Sequence, residues 1–309
     1  MYYKFAILII LLIYVFQSKA QTSKEVKLLE HLEYKKDIIY KTIDGDTLDM
    51  IMFFPSVKKY PKSPVMLYTH GGGWGGGNKY NISRTAFIGT LRILLENGIT
   101  CASIEYRLTR VGKSTAFDCV VDCKDAARFL IKNAGEFGID TERMGVWGGS
   151  AGGHLCLMTA LGRNKDFTGD ELLKSYNPKF VCVASYYPLT SFTNAELLKG
   201  SNFENPKRFI PIFGGLLSDN ITLAKSINPV ELLKKKSPPI LLLHGEKDKV
   251  LPISQSQLLV ERGNIVGADV RLITIKNAGH SFNGEHISPT IDVINQISAD
   301  FIIKALANK

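Results

Sequence analysis

From about residue 65 onward, two kinds of apolar pattern alternate along the chain. Short continuous apolar runs at 65–69, 99–105, 143–147, 180–186, 240–244 and 270–275 read as strands buried on both faces of a parallel sheet. The stretches 83–96, 114–134, 153–161, 254–266 and 290–307 read as helices. In 114–134, Phe117, Val120, Val121, Ala127, Phe129, Leu130 and Ile131 keep a helical period. Asn97-Gly98 is a helix stop. Residues 37–43 and 47–54 flank Asp44-Gly45-Asp46, which predicts an antiparallel hairpin with an Asp-Gly turn. The pattern predicts an α/β fold, a mostly parallel central sheet with helices on both faces and an antiparallel N-terminal hairpin. One region, about 189–239, shows no clear strand. An insertion of that length reads either as a lid or binding loop, or as a cover packed over the sheet.

The first twenty residues stand apart from this pattern. Lys4 precedes a twelve-residue apolar stretch at 5–16, and Ser18-Lys19-Ala20 offers small residues for cleavage before Gln21. This predicts a signal peptide over 1–20 and one domain over 21–309. Twelve apolar residues are too few to span a bilayer, so the expectation is export to the periplasm or medium, without stable membrane insertion after cleavage.

Composition changes this picture little. The 309 residues are 45% apolar and 22% charged, ordinary for a globular chain. The formal charge of +9 is scattered, densest at Lys234-Lys235-Lys236, and argues against a nucleic-acid partner. The oligomeric state is left open. The five cysteines show no ligand spacing, so no metal site is expected; Cys119 and Cys123, four apart on one helix, are poorly placed for a disulfide.

The candidate chemistry sits at predicted strand ends. Gly148-Gly149-Ser150-Ala151-Gly152 fits G-x-S-x-G, a sharp strand-to-helix turn that exposes a nucleophilic serine and demands small neighbours. His70-Gly71-Gly72-Gly73-Trp74 follows another strand. Its glycines let the backbone aim N–H groups at a substrate oxygen, so Gly72, Gly73 and Ala151 are the expected oxyanion donors. His70 reads as ordering that loop, and Trp74 as a wall of the acyl pocket. Asp248, after the strand 240–244, is the expected acid that orients a histidine, with Glu246 as alternative. His280, after the strand 270–275, is the expected base, with His286 as competitor. His31 has no motif around it, and His154 reads as packed. The order Ser150, Asp248, His280 matches neither chymotrypsin nor subtilisin. Phe192, Phe203, Phe209 and Phe213 either stack on a substrate or anchor the insertion.

These motifs resemble the α/β-hydrolase superfamily. HGGGW with GGSAGG looks like its hormone-sensitive-lipase-like and carbohydrate-esterase branch. SIEYRL at 103–108, DAARFL at 125–130, FGID at 137–140 and RMGVWG at 143–148 look like bifunctional acetylxylan esterase/feruloyl esterase-type proteins of polysaccharide-degrading bacteria. The resemblance covers about residues 37–305. It implies a cofactor-free serine carboxylesterase that removes acetyl or feruloyl groups from plant-type glycans or small esters. Lipase relatives carry an acid before the serine, where this chain has Gly149, and an N-terminal helical cap, for which 21–36 is too short. Two other readings stand beside it. One is a peptidase of the prolyl-oligopeptidase kind, whose large propeller finds no room in this chain. The other is a non-catalytic binding module on the same fold.

Overall fold

The computed structural model describes residues 27–307, so the expected signal peptide lies outside the described residues. Eight strands form one sheet: β1 (Tyr34–Ile43), β2 (Asp46–Phe53), β3 (Ser63–Thr69), β4 (Thr100–Ile104), β5 (Ile139–Gly149), β6 (Cys182–Tyr186), β7 (Ile240–Gly245) and β8 (Val270–Ile275). Their order is β1-β2-β4-β3-β5-β6-β7-β8. The hairpin β1–β2 and the pair β2–β4 are antiparallel, and the rest of the sheet is parallel. Asp44 and Gly45 turn the hairpin with φ of 51° and 80°, the left-handed pair such a two-residue turn requires.

Five longer helices cover the sheet: α1 (Thr85–Glu96), α2 (Ala116–Lys132), α3 (Ala151–Leu161), α4 (Ser254–Val266) and α5 (Ile291–Ala307). The first begins two residues later than the apolar pattern predicts, because Lys79–Ser83 forms a 3-10 turn before it. The third begins two residues earlier, at the residue after Ser150. Strand residues alternate strictly between two cores, as the period of a strand dictates. Val65, Leu67, Val146, Ile240 and Leu242 face the core shared with α2, α3 and the insertion. Met66, Tyr68, Trp147, Leu241 and Leu243 face the core shared with α1 and α5.

Two features escape the apolar pattern. Asp122, Lys124, Asp125 and Arg128 of α2 are buried although their spacing reads as a polar helix face. Lys41 of β1 bonds both Asp122 and Asp125 at 2.7 Å, Arg128 pairs with Asp125, and Arg107 pairs with Asp122 and Asp118. Lys124 Nζ donates to the carbonyls of Thr159 and Gly162, at the C-terminus of α3. The insertion between β6 and β7 is a series of short helices, including Pro206–Phe209, Ile210–Phe213 and Ile221–Ser226. Phe192, Phe209 and Phe213 are buried in the first core and anchor it. Asn228 Oδ1 accepts from Phe192 N, and Gln255 Oε1 from the amides of Thr190 and Ser191. All five cysteines are free and buried.

The elbow and β3 touch through glycine. A Cβ on Gly152 would stand 2.1 Å from the Thr69 carbonyl oxygen, and that contact is backbone on backbone. Gly152→Ala is therefore expected to lower the unfolding free energy by about 3 kcal/mol, the upper range for overpacking, in urea titration. Gly73, with φ of 62° and nothing within 4 Å of an added Cβ, carries only the conformational cost. Gly73→Ala is expected to cost about 1 kcal/mol in the same measurement.

Candidate active site

Ser150 sits between β5 and α3 with φ 59° and ψ −122°, a conformation costly for any residue with a side chain. Its amide donates to the Tyr186 carbonyl at 2.9 Å, and its carbonyl accepts from His154 N at 3.0 Å. A Cβ on Gly148 would meet the carbonyl oxygens of Thr69 and Gly152 at 2.5 and 2.6 Å. The turn therefore requires glycines on both sides of the serine, as its motif indicates.

His280 follows β8 and reaches back across the sheet ends. Ser150 Oγ and His280 Nε2 are 2.9 Å apart, and His280 Nδ1 and Asp248 Oδ2 are 2.7 Å apart. The Tyr187 ring meets the His280 ring edge-on, with centroids 4.7 Å apart. Neither alternative joins this chain. Glu246 is exposed and its carboxylate accepts from Asn277 N, while His286 is exposed and accepts from Asn277 through its backbone.

Asp248 is held by more than His280. Its Oδ1 accepts from the amides of Val250 and Leu251 at 2.8 and 2.9 Å. Buried His244 stands behind it, with Nε2 3.4 Å from Asp248 Oδ2 and 2.8 Å from the Leu251 carbonyl oxygen. The Leu251 carbonyl oxygen can only accept, which places the ring proton on Nε2 and leaves Nδ1, 2.8 Å from Ser256 Oγ, to accept from that hydroxyl. Burial pushes the Asp248 carboxyl up. Hydrogen bonds from His244 and His280, the His280 charge and the Leu251 amide outweigh burial and hold it well below the usual carboxylate range. The sequence reading missed His244. Its signal is a histidine ending an apolar strand four residues before an acid, which the pattern alone assigns to the strand.

Gly72 and Gly73, with φ of 125° and 62°, face the same cavity as Ser150. Among the described residues, the amides of Gly72, Gly73 and Ala151 donate to no protein acceptor. Three N–H groups at a serine, one of them opening a helix, can receive a developing oxyanion. His70 orders the loop from below: its ring is buried, stacks on Tyr106 at 4.1 Å, and places Nδ1 2.9 Å from the Gly71 carbonyl oxygen. Trp74 contributes to the cavity wall, but its indole is almost wholly buried, and Nε1 donates to His154 Nδ1 at 3.2 Å. His154 Nε2 in turn donates to the Ile227 carbonyl of the insertion at 2.8 Å. His31 is exposed and takes no part.

The cavity above Ser150 measures about 700 Å³. Phe203, Arg208, Pro211 and Ile212 of the insertion form one side, and Arg84 and Phe87 stand on another. Phe203 alone of the insertion's four phenylalanines reaches the cavity; the other three are anchors. Among the described residues there is no cluster of three or more His, Cys, Asp or Glu that could hold a metal ion. No helix among them is long and apolar enough to cross a membrane.

A model of the BD-FAE family matches residues 48–262. Esterase LipQ of Mycobacterium tuberculosis is 28% identical over 248 residues, 80% of this chain and 57% of that protein. The probable isoprenylcysteine alpha-carbonyl methylesterase ICME of Oryza sativa subsp. japonica is 28% identical over 280 residues, 86% of this chain and 64% of that protein. The chain thus spans less than two thirds of the length of these curated relatives. Among solved structures, Thermogutta terrifontis esterase 2 phosphonylated by sarin superposes with a TM-score of 0.73 at 20% identity, covering 89% of this chain and 95% of that one. The butyrate-bound Est2 of the same organism gives 0.73 at 21% identity, over 91% and 97%. These likenesses show the α/β-hydrolase fold.

Two expectations follow from the site. Burial holds His154 down to about 4 against the Ile227 bond, so the unfolded chain takes up that proton first. Its contribution to stability is complete above about pH 6.5 and is lost as pH falls to about 4, on the order of 3 kcal/mol. Denaturant midpoints from pH 8 to 4 should fall in that window, and His154→Gln should flatten the fall. At His244, truncation to Ala takes one of the donors from Asp248 and leaves the Leu251 carbonyl without its ring partner. The maximal rate on a chromogenic ester should drop by about 10² with KM little changed, and His244→Gln should restore part of it.

Proposed function

Because the chain belongs to the BD-FAE family, we propose that it is a serine carboxylesterase that removes short acyl groups, acetyl or feruloyl, from plant-type glycans or small esters. The observation that carries this reading is the hydrogen-bonded line from Ser150 Oγ through His280 to Asp248, opening on a cavity beside three undirected backbone amides. The names of the curated relatives, esterases and a methylesterase, favour ester bonds over peptide bonds.

In this mechanism His280 Nε2 takes the Ser150 hydroxyl proton as Oγ attacks the ester carbonyl. The carbonyl oxygen becomes an oxyanion bonded by the amides of Gly72, Gly73 and Ala151, each worth roughly 3 kcal/mol of transition-state stabilisation. Imidazolium returns the proton to the leaving alcohol. Water, activated by the same imidazole, then releases the acid from the acyl-enzyme. Asp248 accepts the His280 Nδ1–H and stabilises the imidazolium. Its carboxyl, held low, stays ionised and keeps that acceptor in place.

Trp74 and Phe203 bound the cavity near the serine, which supports small or flat acyl groups over long aliphatic chains. The apolar stretch at 5–16 followed by Ser18-Lys19-Ala20 supports export after cleavage behind Ala20, which fits a polymer substrate outside the cell. An N-terminus at Gln21 on protein recovered outside the cytoplasm would bear that out.

Ser150→Ala and His280→Ala should each lower kcat by at least about 10⁴, with the double variant little worse than either. A fluorophosphonate probe should label the wild type and not Ser150→Ala. On p-nitrophenyl esters the rate should peak at two to four carbons, with acetate released from acetylated xylan or ferulate from methyl ferulate. A maximum at eight carbons or more, without release from any acylated glycan, overturns the substrate class. Full activity in Ser150→Ala overturns the mechanism.

A further inference from the structure

Tyr187 follows β6 directly, and its ring bridges the serine turn and the catalytic base. The ring meets that of His280 edge-on, with centroids 4.7 Å apart and 61° between the planes. The far end of the same ring lies over Gly149. A Cβ there would stand 2.9 Å from the Tyr187 hydroxyl oxygen and 3.0 Å from Cζ. On its other side the ring packs against Phe282 at 4.9 Å, and Phe282 packs against Tyr186 at 5.7 Å. Tyr187 is thus wedged between the end of β6 and the loop that carries His280. It is 3% exposed, and its amide donates to the Leu243 carbonyl of β7 at 2.7 Å.

The backbone of Tyr187 stands at φ 39°, and those of Ser281 and Phe282 at 60° and 59°. Residues with side chains adopt such conformations at a cost, where the surroundings leave no alternative. Here the strained positions are the ones that bring the tyrosine ring and the imidazole together. The imidazole is bonded at its two nitrogens, to Asp248 and to Ser150. Two bonds along one line leave a ring free to tip about that line, and both weaken steeply as their angles close. An aromatic ring packed edge-on blocks that tipping. We propose that Tyr187 is a positioning residue, whose ring holds the His280 imidazole in the plane that serves Ser150 Oγ and Asp248 Oδ2 at once. This rests on the esterase reading above. The proton path is unchanged, from Ser150 Oγ to His280 Nε2, and Tyr187 itself gives up no proton.

The test uses the full chain with Tyr187→Leu, which removes the flat ring, and Tyr187→Phe, which keeps it. In Tyr187→Leu, kcat on p-nitrophenyl acetate and on p-nitrophenyl butyrate should fall by the same factor, about 30-fold, with KM within about twofold. The rate at which a fluorophosphonate labels Ser150 should fall in step. Tyr187→Phe should stay within about threefold of the wild type in all three measurements. The deshielded proton NMR line of His280 Nδ1–H, assigned by its loss in His280→Ala, should be sharp in the wild type and in Tyr187→Phe and broadened in Tyr187→Leu. Urea titration shows whether Tyr187→Leu is folded; if it is not, Tyr187→Met, which refills the space without a flat ring, takes its place. Tyr187 also borders the cavity, so the opposing result is specific. A loss carried by KM, or one that differs between acetate and butyrate by more than about threefold, makes Tyr187 a wall for the substrate and overturns the proposal. An unchanged labelling rate with an unchanged proton line in Tyr187→Leu overturns it as well. If the wild type turns over neither ester, the esterase reading falls, and the labelling rate and the proton line decide the role of Tyr187 without it.

Discussion

The backbone of Ser150 is the constraint on which the rest depends. A φ of 59° with a side chain present costs on the order of 1–3 kcal/mol and persists only where the surroundings leave no alternative. Here β3 and β5 are neighbours, with Thr69 opposite Gly148, and α3 starts at once from the turn. The Thr69 hydroxyl donates to the Gly152 carbonyl at 2.7 Å, and the Tyr186 carbonyl takes the Ser150 amide. Sheet order then does the assembly. The loop after β3 brings Gly72 and Gly73 to the serine, and the ends of β7 and β8 bring Asp248 and His280 from the other side. No part of this requires movement.

Histidine has two uses here. His70, His154 and His244 are fully buried struts that connect loop backbone to neighbouring elements. Trp74, His154 and Ile227 link the glycine loop, α3 and the insertion in one line of hydrogen bonds. His244 does the same for the turn that carries Asp248. His280 joins the Asp248 carboxylate on one ring nitrogen to the Ser150 hydroxyl, at the cavity, on the other. His154, whose pKa burial lowers, must stay neutral to keep its bond from Trp74.

The sheet, the long helices and the line Ser150–His280–Asp248 are legible in the sequence for one reason. Strands buried on both faces leave continuous apolar runs, and the reactive residues stand in glycine-rich turns directly behind them. The buried charges of α2 are not legible that way. Asp122, Asp125 and Arg128 follow a spacing that reads as solvated, and only the three-dimensional meeting with Lys41 and Arg107 reveals that they are interior. Short helices of four to six residues leave no period to read, so the insertion's shape was equally hidden. The same lack of period left open whether its phenylalanines face substrate or core. Burial divides them, with Phe203 at the cavity and Phe192, Phe209 and Phe213 in the core.

That division also decides between a lid and a cover. Lifting the whole insertion would expose three phenylalanines, at about 1.5–3 kcal/mol each, comparable with the stability of a whole domain. It would also strip the Asn228 and Gln255 side chains from the amides of Phe192, Thr190 and Ser191. Gln255 belongs to α4, so the insertion is fastened to the body at that point and through His154. The stretches without a buried anchor are 202–208, exposed apart from half-buried Phe203, and 214–223, between Phe213 and Ala224. The stretch at 202–208 carries Phe203 and Arg208 to the cavity wall, while Ser150, Asp248 and His280 stand at the ends of the sheet strands. The cavity wall and the line Ser150–His280–Asp248 thus stand on parts of the chain anchored to different degrees, and a change at 202–208 can reshape the wall without disturbing that line.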